Sequence, residues 1–142
     1  MPYWRSHHHA VWSTSGRRRL LTGERTNIAE AAIRSQARDL GCLVHAVAIQ
    51  PDHVHVAISI PPKHAPATVI GRLKGASSRL LRRRDPDLVE QAFGWQHEYG
   101  VISFSARDFG FILNYIANQD ERHAEARLFD QLERDAEEQL DH

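Results

Sequence analysis

Residues 50–60, QPDHVHVAISI, pass from a turn signal into strict alternation within three positions. Pro51 and Asp52 supply the turn, and the residues after them read as a strand. Side chains two apart on a strand share a face. His53, His55, Ala57 and Ser59 therefore look one way, and Val54, Val56, Ile58 and Ile60 look the other, towards a core. Two imidazoles on one face of a rigid strand, beside small residues that leave room, suit a metal site that takes a further ligand from elsewhere. Composition sets the counterweight: with ten His in 142 residues, a His-x-His pair is expected almost once per chain, and a second stands at His7 and His9. The pair alone therefore decides little about metal.

Outward from this strand, residues 42–49, CLVHAVAI, form another, and a link of about three residues makes the two an antiparallel hairpin. Before it, Ile28, Ala32, Ile33, Ala37 and Leu40 recur at helical spacing over about 25–40, and Gly41 is the stop. Residues 3–14, YWRSHHHAVWST, are aromatic and β-branched without a helical period, so they predict a first strand. Period two sets Trp4, His8, Ala10 and Trp12 against Arg5, His7, His9 and Val11, and His7 with His9 is a rival ligand pair. Arg17, Arg18 and Arg19 follow in a basic loop.

After the hairpin, the linker PPKHAPA blocks strand and helix alike. Thr68 is the expected N-cap of a helix running to about Arg84, with Val69, Ile70, Leu73, Ser77, Leu80 and Leu81 along its apolar face. Arg72, Arg79 and Arg83 align on one flank of that face and Lys74 lies elsewhere on the helix, a basic surface suited to phosphates. A solvated helix face is the equally simple explanation. Asp85-Pro86-Asp87 reads as a break, and residues 95–105, WQHEYGVISFS, as one or two strands split near Gly100. A last helix opens at Ser105 with Asp108 three residues on, a capping-box arrangement. Its buried stripe is Phe109, Ile112, Leu113 and Ile116, with Tyr115 and Gln119 one turn apart on the flank.

The order strand, helix, strand, strand, helix, strand, helix predicts an α+β domain: an antiparallel sheet with helices packed on one face, in the split β-α-β manner. That packing leaves the histidine face open to ligand. The length suits one domain, placed at 1–124, with an acidic, helical C-terminal tail at 125–142. Charge supports the division. Residues 120–142 carry a balance of −6 and the rest +6, so a neutral chain has a cationic body able to attract a polyanion. The single cysteine, Cys42, excludes an internal disulfide, and no apolar run reaches the length of a membrane span. With no signal-peptide pattern at the start, the cytoplasm is the expected location.

Three segments, PDHVHV, LKGASSRLLRR, and YGVISFS followed by YIANQDERH, stand in an order and spacing that resemble the HUH single-tyrosine transposases of small bacterial insertion sequences and their REP-associated tyrosine relatives. With VWST near the start, the resemblance spans nearly the whole chain. It implies the HUH endonuclease fold, related to ferredoxin and RRM folds, and a metal-dependent enzyme that cleaves and joins single-stranded DNA. It further implies Tyr115 as nucleophile, forming a 5′-phosphotyrosine link and a free 3′-OH, with His53, His55 and Gln119 as ligands of Mg2+ or Mn2+. Hairpin ends of a mobile element would be the substrate, and a homodimer with composite active sites the assembly.

The chemistry fits these residue types. A tyrosine with pKa near 10 is ionised in only about one molecule in a thousand at neutral pH, so it needs a strengthened electrophile. Two imidazoles and a neutral amide oxygen leave a bound divalent ion its full charge, and imidazole suits manganese better than magnesium. Two other classes remain. A domesticated, non-catalytic single-strand-binding module would keep the sheet and the basic surface without needing Tyr115. A small metal hydrolase would want a third His or a carboxylate, but Ala57 stands where His-x-His-x-His would continue, leaving Asp52.

Overall fold

The computed structural model describes residues 6–118. Four strands, β1 (Ser6–Ser13), β2 (Leu43–Ile49), β3 (His53–Ile60) and β4 (Gly100–Phe104), form one sheet in the order β2-β3-β1-β4. Every neighbouring pair is antiparallel. The β2–β3 hairpin is as expected, closed by Gln50 N–H donating to the His53 carbonyl at 2.8 Å. The strand β3 enters between β2 and β1, which is the split β-α-β arrangement.

Helices α1 (Glu24–Asp39) and α2 (Pro66–Arg84) pack against each other and cover one face. Their Ala29, Ile33, Ala37, Val69, Ile70, Leu73 and Leu81 join Ala10, Trp12, Val54, Val56, Ile58 and Ile60 of the sheet in one core. Each fully buried Leu or Ile side chain contributes roughly 1.5–3 kcal/mol of transfer free energy, so this face carries most of the stability. α1 ends where Gly41 takes a φ of 75°, a left-handed conformation that glycine adopts without a Cβ penalty.

Two boundaries differ from expectation, and a third, open between one strand and two, is settled as one. α2 starts three residues early, with Ala65 as N-cap in place of Thr68 and Pro66 in the first turn; the fixed φ of proline suits a first helical position, so Thr68 lies inside the helix. Asp85-Pro86-Asp87 does end α2 but also begins a short helix, α3 (Pro86–Glu90). There the Asp85 side chain accepts from the Asp87 N–H at 3.2 Å. The segment 95–105 contains one strand, β4, with Trp95 making only an isolated bridge to Thr14.

The last helix, α4 (Phe109–Ala117), follows a 3-10 turn at Ala106–Asp108. Ser105 and Asp108 approach at 3.4 Å side chain to side chain, so Ser105 caps no backbone N–H. Against the expectation of an open histidine face, α4 contacts β2 and β3 from the side opposite α1 and α2. Only Ile116 of its expected stripe is fully buried. Residues 3–5 of the expected first strand, Gln119, His123 and the acidic tail lie outside the described residues.

Candidate active site

Strand register assembles the site. Val11 faces His55 and Ser13 faces His53 across β1 and β3; Ala48 faces His55 from β2; Ile102 of β4 faces His9. Directly opposed residues share a face, so His7, His9, His53, His55 and Ser59 stand together on the face turned away from α1 and α2. Ala48 and Ala57 leave space around the His55 ring.

His53 Nδ1 lies 2.7 Å from Asp52 Oδ1, on the turn before the strand. Burial lowers the pKa of His53; Asp52 opposes that and Arg17 adds to it, so the ring is neutral at pH 7 and the contact is an N–H donated to a carboxylate. His55 is fully buried, 5.0 Å centroid to centroid from His53. Its pKa falls well below the usual value through burial first and then through His9 and His53. Its Nδ1 lies 3.0 Å from His9 Nε2, whereas its Nε2 is buried and has no hydrogen-bond partner among the described residues. A buried, unpartnered imidazole nitrogen costs about 1–3 kcal/mol. Neutral imidazoles are the form that ligates a cation, and this nitrogen fits a divalent ion held with His53. Among the described residues, no three His, Cys, Asp or Glu converge as a complete metal cage.

α4 supplies the third component. The ring of Tyr115 stands 6.4 Å from both the His9 and the His55 rings of the same chain, tilted edge-on to each. Two residue steps along the same face, the Ser59 hydroxyl bridges His7 Nδ1 and His45 Nε2 at 2.6 Å each. Phe109 seats the start of α4 on these two rings, 5.4 Å from His7 and 4.7 Å from His45. A phenol is thus held against the buried imidazoles by a helix that rests on a histidine-lined floor.

A family model described as "Transposase IS200 like" matches residues 2–119. The chain belongs to this family of HUH tyrosine transposases. Over 118 residues it is 30% identical to the ISDra2 transposase TnpA of Deinococcus radiodurans, covering 81% of this chain and 84% of that protein. It is 28% identical over 85 residues to the transposase for insertion sequence element IS200 of Salmonella typhimurium, covering 60% and 56%. A crystal structure described as a transposase from Deinococcus radiodurans superposes with a TM-score of 0.69 at 27% identity, covering 83% of this chain and 93% of that one. A REP-associated tyrosine transposase bound to a REP hairpin shares the fold, with a TM-score of 0.64 at 16% identity over 87% and 72% of the two chains.

In this transposase the expected site residues fall into three places. His53, His55 and Tyr115 come together as described, while Gln119 lies outside the described residues. The basic loop sits at the rim of the histidine face. Leu21 N–H and Thr14 N–H donate to the Pro51 and Asp52 carbonyls at 2.9 Å each, tying the loop to the turn before His53. Arg17, exposed and at a φ of 52°, bears electrostatically on His53, and Arg18 donates to the Gln91 carbonyl. Arg72, Arg79 and Arg83 are exposed on α2, in the helical layer behind the sheet. Lys74 is half-buried and donates to the Gln96 and His97 carbonyls at 2.6 and 3.1 Å, which makes it a strap for the loop before β4.

His9 was legible only as half of a rival pair with His7. What joins it to His55 is the pairing of β1 with β3, a contact 46 residues apart in sequence that no local pattern announces. The available signal was period two: His7 and His9 alternate as His53 and His55 do.

Proposed function

We propose that this transposase cleaves and rejoins single-stranded DNA through Tyr115, with His53, His55 and Gln119 as ligands of Mg2+ or Mn2+. The observation that carries the proposal is the seating of Tyr115 against the buried His55, whose Nε2 lacks a partner among the described residues. When bound, the divalent ion would draw charge from a non-bridging phosphate oxygen and stabilise the crowded transition state. Tyr115 Oη attacks phosphorus and loses its proton as the new P–O bond forms; the bond to the 3′ oxygen breaks, and that oxygen takes up a proton. The products are a 5′-phosphotyrosine ester and a free 3′-OH. Because the ester keeps the phosphoryl group activated, a 3′-OH can reverse the attack and join strands without ATP.

His53 and His55 hold their positions on a rigid sheet, and α4 brings the phenol to them, so docking of this helix governs activity. Arg17, Arg18 and Arg19 at the rim are the first phosphate contacts, with Arg72, Arg79 and Arg83 a second basic region on α2; Lys74, tied to the loop before β4, is not part of it. Hairpin ends of a mobile element are the substrate this reading assigns, since the REP-associated structural neighbour is bound to a REP hairpin. The contact of Tyr115 with His9 and His55 of its own chain supports a site that one chain can assemble, within a homodimer whose subunits exchange the phenol only if α4 leaves that seat.

The test is a denaturing gel of the protein incubated with a labelled hairpin oligonucleotide. A covalent adduct is expected with Mn2+ or Mg2+, absent with chelator and absent in Tyr115→Phe. Hairpin binding without any adduct in the wild type would instead mark a non-catalytic single-strand-binding module.

A further inference from the structure

Each histidine of the His53-Val54-His55 strand has its Nδ1 already engaged. For His53 the partner is a carboxylate, Asp52 Oδ1 at 2.7 Å; for His55 it is another imidazole, His9 Nε2 at 3.0 Å. Two neutral rings facing each other nitrogen to nitrogen at that distance share one proton, because two lone pairs or two N–H groups would repel. Only two arrangements satisfy this. Either His55 carries the proton on Nδ1 and donates it to His9, which leaves a lone pair on His55 Nε2. Or His9 carries it on Nε2 and donates, which puts the His55 proton on Nε2 and closes that nitrogen to any cation.

We propose that His9 is a positioning residue: as acceptor of the His55 Nδ1–H, it fixes the tautomer and ring orientation that present the His55 Nε2 lone pair to a divalent cation. The inference rests on the reading of His55 as a ligand. His9 and His55 are 1% and 0% exposed, so water cannot take over either end of the bond. The register fixes their diagonal relation, with His9 opposite Ala57 and His55 opposite Val11. Because the Tyr115 ring lies equally far from both imidazoles, one hydrogen bond sets the direction of the ligand and the wall against which the phenol packs. Asp52 and His9 thus do the same work by different means, one with a charge at the rim and one with a neutral ring in the interior.

Two measurements on the full chain test this. Nitrogen-15 spectra of histidine-labelled protein without metal are expected to show His55 protonated at Nδ1 and bare at Nε2. In His9→Phe, which removes the acceptor and keeps a ring, that pattern should be lost. Mn2+ affinity measured by calorimetry without DNA should fall ~10–100-fold in the same variant, the range for losing such a partner. His9→Gln, whose amide oxygen can accept the same proton, should recover the tautomer and most of the affinity. Protonation of His55 at Nε2 in the wild type, or unchanged tautomer and affinity in His9→Phe, overturns the proposal. If His9→Phe does not fold, the wild-type spectrum and His9→Gln decide. A wild type that binds no Mn2+ yet shows the Nδ1–H tautomer sinks the ligand reading and leaves the His9–His55 bond as described.

Discussion

The two faces of β3 are both buried, with only His53 at the strand start partly open, and they do opposite work. Val54, Val56, Ile58 and Ile60 interlock with α1 and α2 and make no demand that packing does not meet. His53, His55 and Ser59 of the same eight-residue strand face a floor of rings and hydroxyls capped by α4. Burial stabilises on the first face; on the second it leaves His55 Nε2 without a hydrogen-bond partner among the described residues, which costs folding free energy, and it keeps the imidazoles neutral, which costs stability only once the pH falls below about 6.5. Stability and function are therefore separated across the thickness of one strand.

Substitution on each face is the largest way to break that contrast. Ile58→Ala removes a fully buried side chain from the apolar face and should cost about 2–5 kcal/mol. Replacing both hydrogen-bonded rings, as His9→Leu with His55→Leu, exchanges a buried polar pair for apolar groups of similar volume. It should leave stability within about 1 kcal/mol of wild type, because loss of both partners strands neither. Mn2+ binding and adduct formation should disappear in the double variant while Ile58→Ala retains them at a temperature where it stays folded. Denaturant titration and calorimetry make the comparison, and a double variant as destabilised as Ile58→Ala would show that the histidine face also holds the fold together.

The contrast also explains how much the sequence could reveal. Period two in residues 53–60 announces both faces at once, since alternation needs no knowledge of neighbours. Tyr115 became a site residue through its place in YIANQDERH, because nothing local separates a phenol over two imidazoles from a half-buried aromatic. His9 stayed ambiguous because its role depends on β1 lying beside β3. The position of α4 over the histidines escapes the sequence for a related reason: Phe109 of its apolar stripe packs on the His7 and His45 rings, where a hydrophobic core is the expected target. Asp85-Pro86-Asp87 is ambiguous in sequence, because the residues that break one helix, a proline in the first turn after an aspartate cap, are also how the next one starts.

A smaller separation comes with acid. Burial lowers the pKa of His9 to about 4 from an ordinary 6.5, and His53 and His55 shift in the same direction. A histidine depressed in the folded state leaves stability intact above pH 6.5, where folded and unfolded chains are both neutral. As pH falls from 6.5 to about 4 the unfolded chain binds a proton that the folded one refuses, and stability drops; below about 4 the native ring is protonated too. For His9 the window spans on the order of 3 kcal/mol. His8, at the rim of the apolar face, adds in the same sense. Unfolding midpoints measured between pH 7 and 4.5 should therefore fall steeply in wild type and less steeply in His9→Phe. Parallel curves for the two proteins would mean that the buried rings do not dominate acid lability.

Surface charge provides the finest test, since both layers carry exposed arginines and only one of them bears the site. Arg17 sits beside His53 at the rim, and Arg79 lies on α2 behind the sheet. A strand held against Tyr115 would bring a phosphate to the rim, so Arg17→Ala should weaken hairpin binding by roughly 1 kcal/mol and flatten the salt dependence by about one phosphate contact. Arg79→Ala should have a smaller effect on the slope, because DNA would have to bend round the sheet edge to reach it. Fluorescence anisotropy at several salt concentrations reads both. Equal slopes for the two variants would place DNA on the helical layer as much as on the histidine face, and the division of labour between the faces would then hold for the chemistry and not for binding.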